Sequence, residues 1–250
     1  MESWLPDGLS IAAALALVAA SFVTAAVSAT FGIGGGVAML VVMLALLPPA
    51  IVLPLHGVVQ TGSNAGRAVT LLRHVRRAAL GWFTAGTVVG IVAASFVFVA
   101  LPTRTLAIVL GGFILWVLWG PTLSKRPISD RSFVAVGAVA SFCTMFVGAT
   151  GPMVGAFWNV RELGKLGVVA THAAAMVVQH AAKVIAFGAL GFGYTAWLPL
   201  LAALLIAGQL GTQLGARILQ RLPERVFEFG FKWLLTALAL RLLWTAIAGD

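Results

Sequence analysis

The sequence predicts an all-α, polytopic integral membrane protein. About ten helical segments form two inverted five-segment repeats, with broken helices at glycine motifs. Three observations lead there. Of the 250 residues, 61% are hydrophobic and 9% charged. A soluble domain carries about 25% charged residues, so there is too little polar surface here to cover a soluble globule. Apolar runs such as 9–30, 79–101 and 132–147 reach the ~20 residues a membrane helix needs, and they lack the alternation of a barrel strand. The chain also repeats itself. A shift of 116 residues lays Gly32 on Gly148, Gly35 on Gly151, His56 on His172, Ala65 on Ala181 and Arg67 on Lys183. A shift of 121 then lays Gly90 on Gly211, Leu101-Pro102 on Leu222-Pro223 and Arg104 on Arg225, which requires one loop insertion near 191–197.

In order, the segments fall at about 9–30, 34–47, 50–72, 79–101, 104–120, 132–149, 152–160, 166–188, 195–219 and 227–247. The first follows an acidic start, Glu2 and Asp7, without Lys or Arg, and is longer than the 7–15 apolar residues of a signal peptide. It is expected to be retained as a span, although Val27-Ser28-Ala29 resembles a cleavage site. The second and seventh are too short to cross ~30 Å as straight helices. Each opens at a glycine-rich break, Phe31-Gly32-Ile33-Gly34-Gly35-Gly36 and Val147-Gly148-Ala149-Thr150-Gly151-Pro152. The polar stretch 122–131 joins the repeats, giving 1–124 and 125–250 as the two halves of one structural domain.

An odd number of segments per repeat gives the halves opposite orientations. The charges test this. With both termini outside, the inside loops hold Arg73, Arg76 and Arg77; Lys125, Arg126 and Arg131; Arg161 and Lys165; and Arg217, Arg221, Arg225 and Lys232. That is twelve of the sixteen Lys and Arg. The loop after the third segment is Arg-rich, whereas its equivalent, 188–194, has no charge, as inversion under the positive-inside rule requires. The net charge of +9 is thus a topology signal, and nucleic acid is not an expected partner. Trp4, Trp82, Trp119, Trp197 and Trp244 lie near segment ends, as in an aromatic belt.

The candidate site lies on the third and eighth segments. His56, Gln60, Ser63 and Arg67 fall at i, i+4, i+7 and i+11, one narrow helical face. His172, Met176, Gln179 and Lys183 repeat the spacing, with Asn64 and His180 flanking at matching positions. A cation at bilayer depth costs at least ~2.5–3.5 kcal/mol, and no Asp or Glu lies deep in the ten segments. An anionic substrate would supply the missing charge; the bland alternative is that both cations snorkel to the interface. The second and seventh segments would point helix N-termini, with free N–H groups and partial positive charge, at that anion. Gly34, Gly35, Gly36 and Val37, and Thr150, Gly151, Pro152 and Met153, are the candidates there. Close helix packing through small residues is the competing reading. The single cysteine, Cys143, excludes an intrachain disulfide and a multi-cysteine metal site. No metal or cofactor is expected, and no catalytic set of an enzyme is found. Gln209, Gln213 and Arg217 read as packing plus an interfacial Arg.

These motifs, in this order, resemble the sulfite exporter TauE/SafE family of membrane permeases. The resemblance rests on Gly32-Ile33-Gly34-Gly35-Gly36, the His56–Asn64 helix, the basic end Leu72-Arg73-His74-Val75-Arg76-Arg77 and the Gly148-Ala149-Thr150-Gly151-Pro152 break. It spans nearly the whole chain. Where such relatives often carry Pro and then a polar Gly-Thr-Ser run in the third helix, this chain has Pro54, His56 and Thr61-Gly62-Ser63. The resemblance implies transport of small sulfur-containing anions, such as sulfite or organosulfonates, across a bacterial inner membrane.

The expected mechanism is alternating access, the inverted halves rocking around a midplane site. Arg67 and Lys183 balance the charge, and the histidines, Asn64 and Gln179 orient the anion. Expected partners are the anion, the lipid bilayer, a coupling proton or sodium ion and, in a homodimer, a second copy of the chain. A passive anion channel and a non-transporting membrane factor remain as alternatives.

Overall fold

The computed structural model describes residues 6, 9–31, 34–98, 128–155, 157–158 and 160–218, with isolated positions between 105 and 120 and between 233 and 247. Its helices are α1 (Ile11–Phe31), α2 (Gly35–Leu46), α3 (Pro49–Thr70), α4 (Arg77–Phe98), α5 (Phe133–Val147), α6 (Gly151–Gly155), α7 (Val160–Ala189) and α8 (Leu198–Ile218). There is no strand among the described residues. The segments expected at 104–120 and 227–247 lie outside the described residues apart from isolated helical positions. So do the Leu101-Pro102 and Leu222-Pro223 pair, and most of the 122–131 linker.

Among the described residues, five stretches are long and apolar enough to cross a membrane: Ile11–Ala29, Arg77–Val97, Asp130–Val147, Leu166–Ala189 and Thr195–Leu214. α3, with 22 residues, is long enough but carries the polar stripe. The outward surface agrees with a lipid environment. Phe96 is 83% exposed and Ile185 72%, while Lys183 and Gln179 are fully buried, which inverts the pattern of a soluble protein. Trp197 departs from the aromatic belt: it is buried in the main core with Leu200 and Leu204.

Local chemistry sets the helix ends. Pro48 is extended at φ −60°, ψ 142°, as a residue before proline prefers, and Pro49 opens α3, where a missing N–H costs little. Gly148 closes α5 at φ 83°, a left-handed turn that glycine adopts without Cβ strain. α7 contains a break at Gly164, φ 66°, so its spanning part begins at Leu166. The seventh segment is shorter than the expected 152–160. After five helical residues the chain tightens, with Phe157 N–H donating to the Val154 carbonyl at 3.1 Å and Trp158 N–H to that of Gly155 at 3.2 Å.

The packing is symmetric in pattern. α3 and α7 pack on each other; α1 packs on α8 and α4 on α5; α4 also meets α7, and α8 also meets α3. Exchanging α1–α4 for α5–α8 leaves this pattern unchanged. The contacts repeat in detail. A Cβ at Gly90 would run into the Ala138 carbonyl oxygen, and one at Gly211 into that of Phe22. Gly90 and Gly211 are the pair found by the 121-residue shift, and Phe22 and Ala138 are themselves 116 residues apart. Both seams are therefore backbone-to-backbone approaches that only small residues permit. Buried Leu17, Met39, Leu40, Met43, Leu53, Leu55 and Met145 belong to the main apolar core.

One end of the bundle is tied by charge. Arg76, between α3 and α4, donates to Glu162 and pairs with Asp130 at 2.6 Å. Its backbone N–H donates to Thr171 Oγ1 at 3.0 Å. The Glu162 carboxylate, then that of Asp130, hold the Arg76 guanidinium more firmly in its charged form, raising its pKa. Three loops that segment alternation puts on one side thus meet: the one after α3, the one before α5 and the start of α7.

Candidate functional site

At 100° per residue, His56, Gln60, Asn64 and Arg67 share an arc of α3, and His172, Met176 and His180 the same arc of α7. Because the two helices pack face to face, these arcs meet and all seven side chains are buried. Between them is a cavity with about 350 Å³ not filled by protein atoms, part of it open. Much of that space is open rather than enclosed, so the cavity suits only a small ligand. Its remaining lining is Ser28 at the end of α1, Gly34, Gly36 and Val37 at the start of α2, and Ala149, Gly151 and Pro152 at the second break.

Arg67 is the only Lys or Arg among the lining residues, which include no carboxylate. Its Nη1 donates to the Ser28 carbonyl at 2.6 Å and its Nη2 to Asn64 Oδ1 at 2.7 Å. Its Nε is buried without a partner. Asn64 is steadied in turn, donating from Nδ2 to the Gln60 carbonyl at 2.8 Å. The guanidinium is thus held by neutral oxygens, and its charge is uncompensated by any lining side chain.

The histidines differ from one another. His56 Nε2 donates to the Gly36 carbonyl at 2.8 Å. His172 Nδ1 accepts from Trp158 Nε1–H at 3.2 Å. His180 stands edge-on to His56, ring centres 5.7 Å apart, with its Nδ1 unpartnered.

Not every expected residue lines this cavity. Lys183 is fully buried and donates from Nζ to the Gly148 carbonyl at 3.0 Å. It closes the C-terminal end of α5 and reaches it past Gly57, where a Cβ would sit 3.0 Å from Lys183 Cε. Gln179 belongs to a separate chain of hydrogen bonds. It accepts from Thr150 at 3.0 Å and donates to Ser141 Oγ at 3.1 Å, which donates to Thr87 at 3.0 Å. Gly35 sits against the Thr24 carbonyl and the Ser28 hydroxyl, and Met153 packs on the cluster around Phe83 and Trp158. Ser63 faces a second, smaller hollow of about 180 Å³ with Ser21, Thr24, Ser28, Gly35 and Gln60. Gln209 lies beside Gly66, whose Cβ would meet its Oε1 at 2.7 Å; the Arg217 side chain lies outside the described residues. Among the described residues, no group of three or more His, Cys, Asp or Glu is placed to hold a metal.

Two lining residues escaped the sequence reading, Ser28 and Ala149, and Met176 was present there only as a stripe member. Ser28 had a signal. It lies 116 residues before Thr144, and both stand in the last turn of the helix that precedes a glycine break.

A model of the sulfite exporter TauE/SafE family matches residues 17–242, nearly the whole chain and both halves of the site. The chain belongs to the sulfite exporter TauE/SafE family. No curated protein and no solved structure matches it. Membership of TauE/SafE makes it a membrane transport protein of a family named for sulfite export, and a transporter rather than an enzyme by family. The TauE/SafE match covers α1 through α8 entirely apart from the first turns of α1.

Proposed function

We propose that the chain moves small sulfur-containing anions, such as sulfite or organosulfonates, across a bacterial inner membrane by alternating access around the cavity between α3 and α7. The observation that carries this reading is Arg67: a buried guanidinium, lacking a carboxylate partner, with an unpartnered Nε beside a small cavity. A buried charge without a partner is costly. An oxyanion in the cavity would offset that cost and accept the guanidinium's fork of N–H groups.

The supporting donors are short-range. Gly34, Gly36 and Val37 belong to the first turn of α2, where backbone N–H groups have no intrahelical acceptor. Gln60 and His172 add side-chain donors. Lys183 acts from behind the cavity, fixing the Gly148 turn that precedes Gly151 and Pro152. The positive loops support both termini lying outside, and the coupling ion in this reading is a proton or sodium. The pseudo-symmetric packing of α1–α4 against α5–α8 supports two inverted repeats, the architecture of many secondary transporters.

The test is thermal stabilisation of the purified protein by sulfite, sulfate, thiosulfate, sulfoacetate, taurine, acetate and chloride. A binder raises stability by an amount that grows with concentration over Kd. Stabilisation by a sulfur oxyanion, lost in Arg67→Ala, is expected. No shift with any of these anions, or an equal shift in Arg67→Ala, rules the reading out.

A further inference from the structure

His56 and His172 stand at equivalent positions of the two halves, yet their rings are anchored by opposite chemistry. The Gly36 carbonyl can only accept, so the His56 nitrogen beside it, Nε2, carries a proton. The indole of Trp158 can only donate, so the His172 nitrogen beside it, Nδ1, carries a lone pair. A neutral imidazole with a bare Nδ1 has its proton on Nε2. A doubly protonated ring would set N–H against N–H. Trp158 cannot swing away to relieve such a clash: its ring is 6% exposed and stacked on Phe133, centres 4.2 Å apart at 12°.

The free nitrogen faces the cavity. A Cβ built on Gly151, a lining residue, would lie 3.6 Å from His172 Nε2. We propose that Trp158 is a positioning residue that holds His172 as the neutral, Nε2-protonated imidazole, so that the ring offers the cavity a fixed hydrogen-bond donor. His172 is therefore not a proton carrier. It favours ligands whose facing oxygen is an unprotonated acceptor, which is the form of an oxyanion. The functional half of this inference rests on the anion reading above; the tautomer does not.

The experiment separates the two. Protein labelled with ¹⁵N-histidine is examined by two-bond ¹⁵N–¹H spectra without added anion, His172 signals being assigned by their loss in His172→Gln. A protonated Nε2 and a bare Nδ1 are expected in the unaltered chain. Trp158→Phe keeps the stack on Phe133 and removes the N–H; the ring should then populate both tautomers. Affinity for the stabilising sulfur oxyanion should fall about 2- to 10-fold, the range of one neutral hydrogen bond. A proton on Nδ1, or on both nitrogens, in the unaltered chain overturns the proposal even if the variant fails to fold. An unchanged tautomer in a folded Trp158→Phe overturns it too. An altered tautomer with unchanged affinity overturns the donor's role in binding. If no anion binds the unaltered chain, the function proposed above fails, while the tautomer stands or falls on the spectra alone.

Discussion

Arg67 and Lys183 occupy the same turn of two helices packed face to face, one from each half, and both donate to a carbonyl near the end of the helix that precedes a glycine break. There the likeness stops. The Lys183 ammonium sits at the end of one flexible stem, threads past Gly57 and finishes on Gly148. The Arg67 guanidinium is a planar fork. It reaches Ser28 and Asn64, leaves Nε without a partner, and lines the cavity. The cation of one half is engaged by backbone alone; that of the other meets backbone and also lines the cavity. A duplicated scaffold can therefore hold an asymmetric site, because the pairing of helices needs only small residues at seams, whereas the site depends on which head group stands at the end of a side chain.

The largest test of that contrast is Arg67→Met. Losing one member of a buried charge pair costs about 2–5 kcal/mol, at least ~30-fold in Kd for the bound anion. Lys183→Met, by titration of the same anion, should leave affinity near that of the unaltered chain. Its cost falls on folding: an orphaned buried carbonyl is worth about 1–3 kcal/mol, read as a Tm lower by ~2–12 °C. Equal loss of anion affinity in both variants would break the comparison. The seams test the likeness instead. Gly90→Ala and Gly211→Ala should each cost about 1–3 kcal/mol of stability through overpacking, and by similar amounts in denaturation curves. A neutral result at only one of them would show that the two seams are not equivalent. The smallest effect belongs to the ion cluster at one end. Asp130→Asn and Glu162→Gln should each change stability by about 0–1 kcal/mol. The double variant should lose the salt dependence of Tm that screening of exposed pairs produces.

Much of this was legible in the amino-acid order. The stripes on α3 and α7 were readable because polar residues at i, i+8 and i+11, joined by Gln60 at i+4 on α3, stand out in apolar helices. Angle alone did not separate the residues: at 100° per residue positions 56, 60, 63 and 67 span about 60°, and 56, 60, 64 and 67 about 80°. What each side chain faces depends on the neighbouring helices, which put Ser63 on the small hollow beside Ser28 and its equivalent Gln179 in the Thr150–Ser141 chain. The direction of Lys183 was not readable at all, since it depends on the Gly148 turn lying beside Gly57 across a helix crossing. The partner of Trp158 was not readable either, since it depends on α6 stopping after five residues so that the indole can reach back to His172.

The glycine seams divide the molecule differently from its sequence. Where α4 meets α5 and α1 meets α8, backbone lies on backbone at Gly86, Gly90 and Gly137 and again at Gly211, and at those points no side chain separates the helices. Each pair joins a helix of one half to a helix of the other, so each behaves mechanically as one beam. In the proposed transport cycle, opening the cavity would carry the beams whole and take up the displacement where α3 packs on α7. That contact is also where Arg67, His56, His172 and His180 are held, so the hinge and the proposed anion cavity would be built from the same turns.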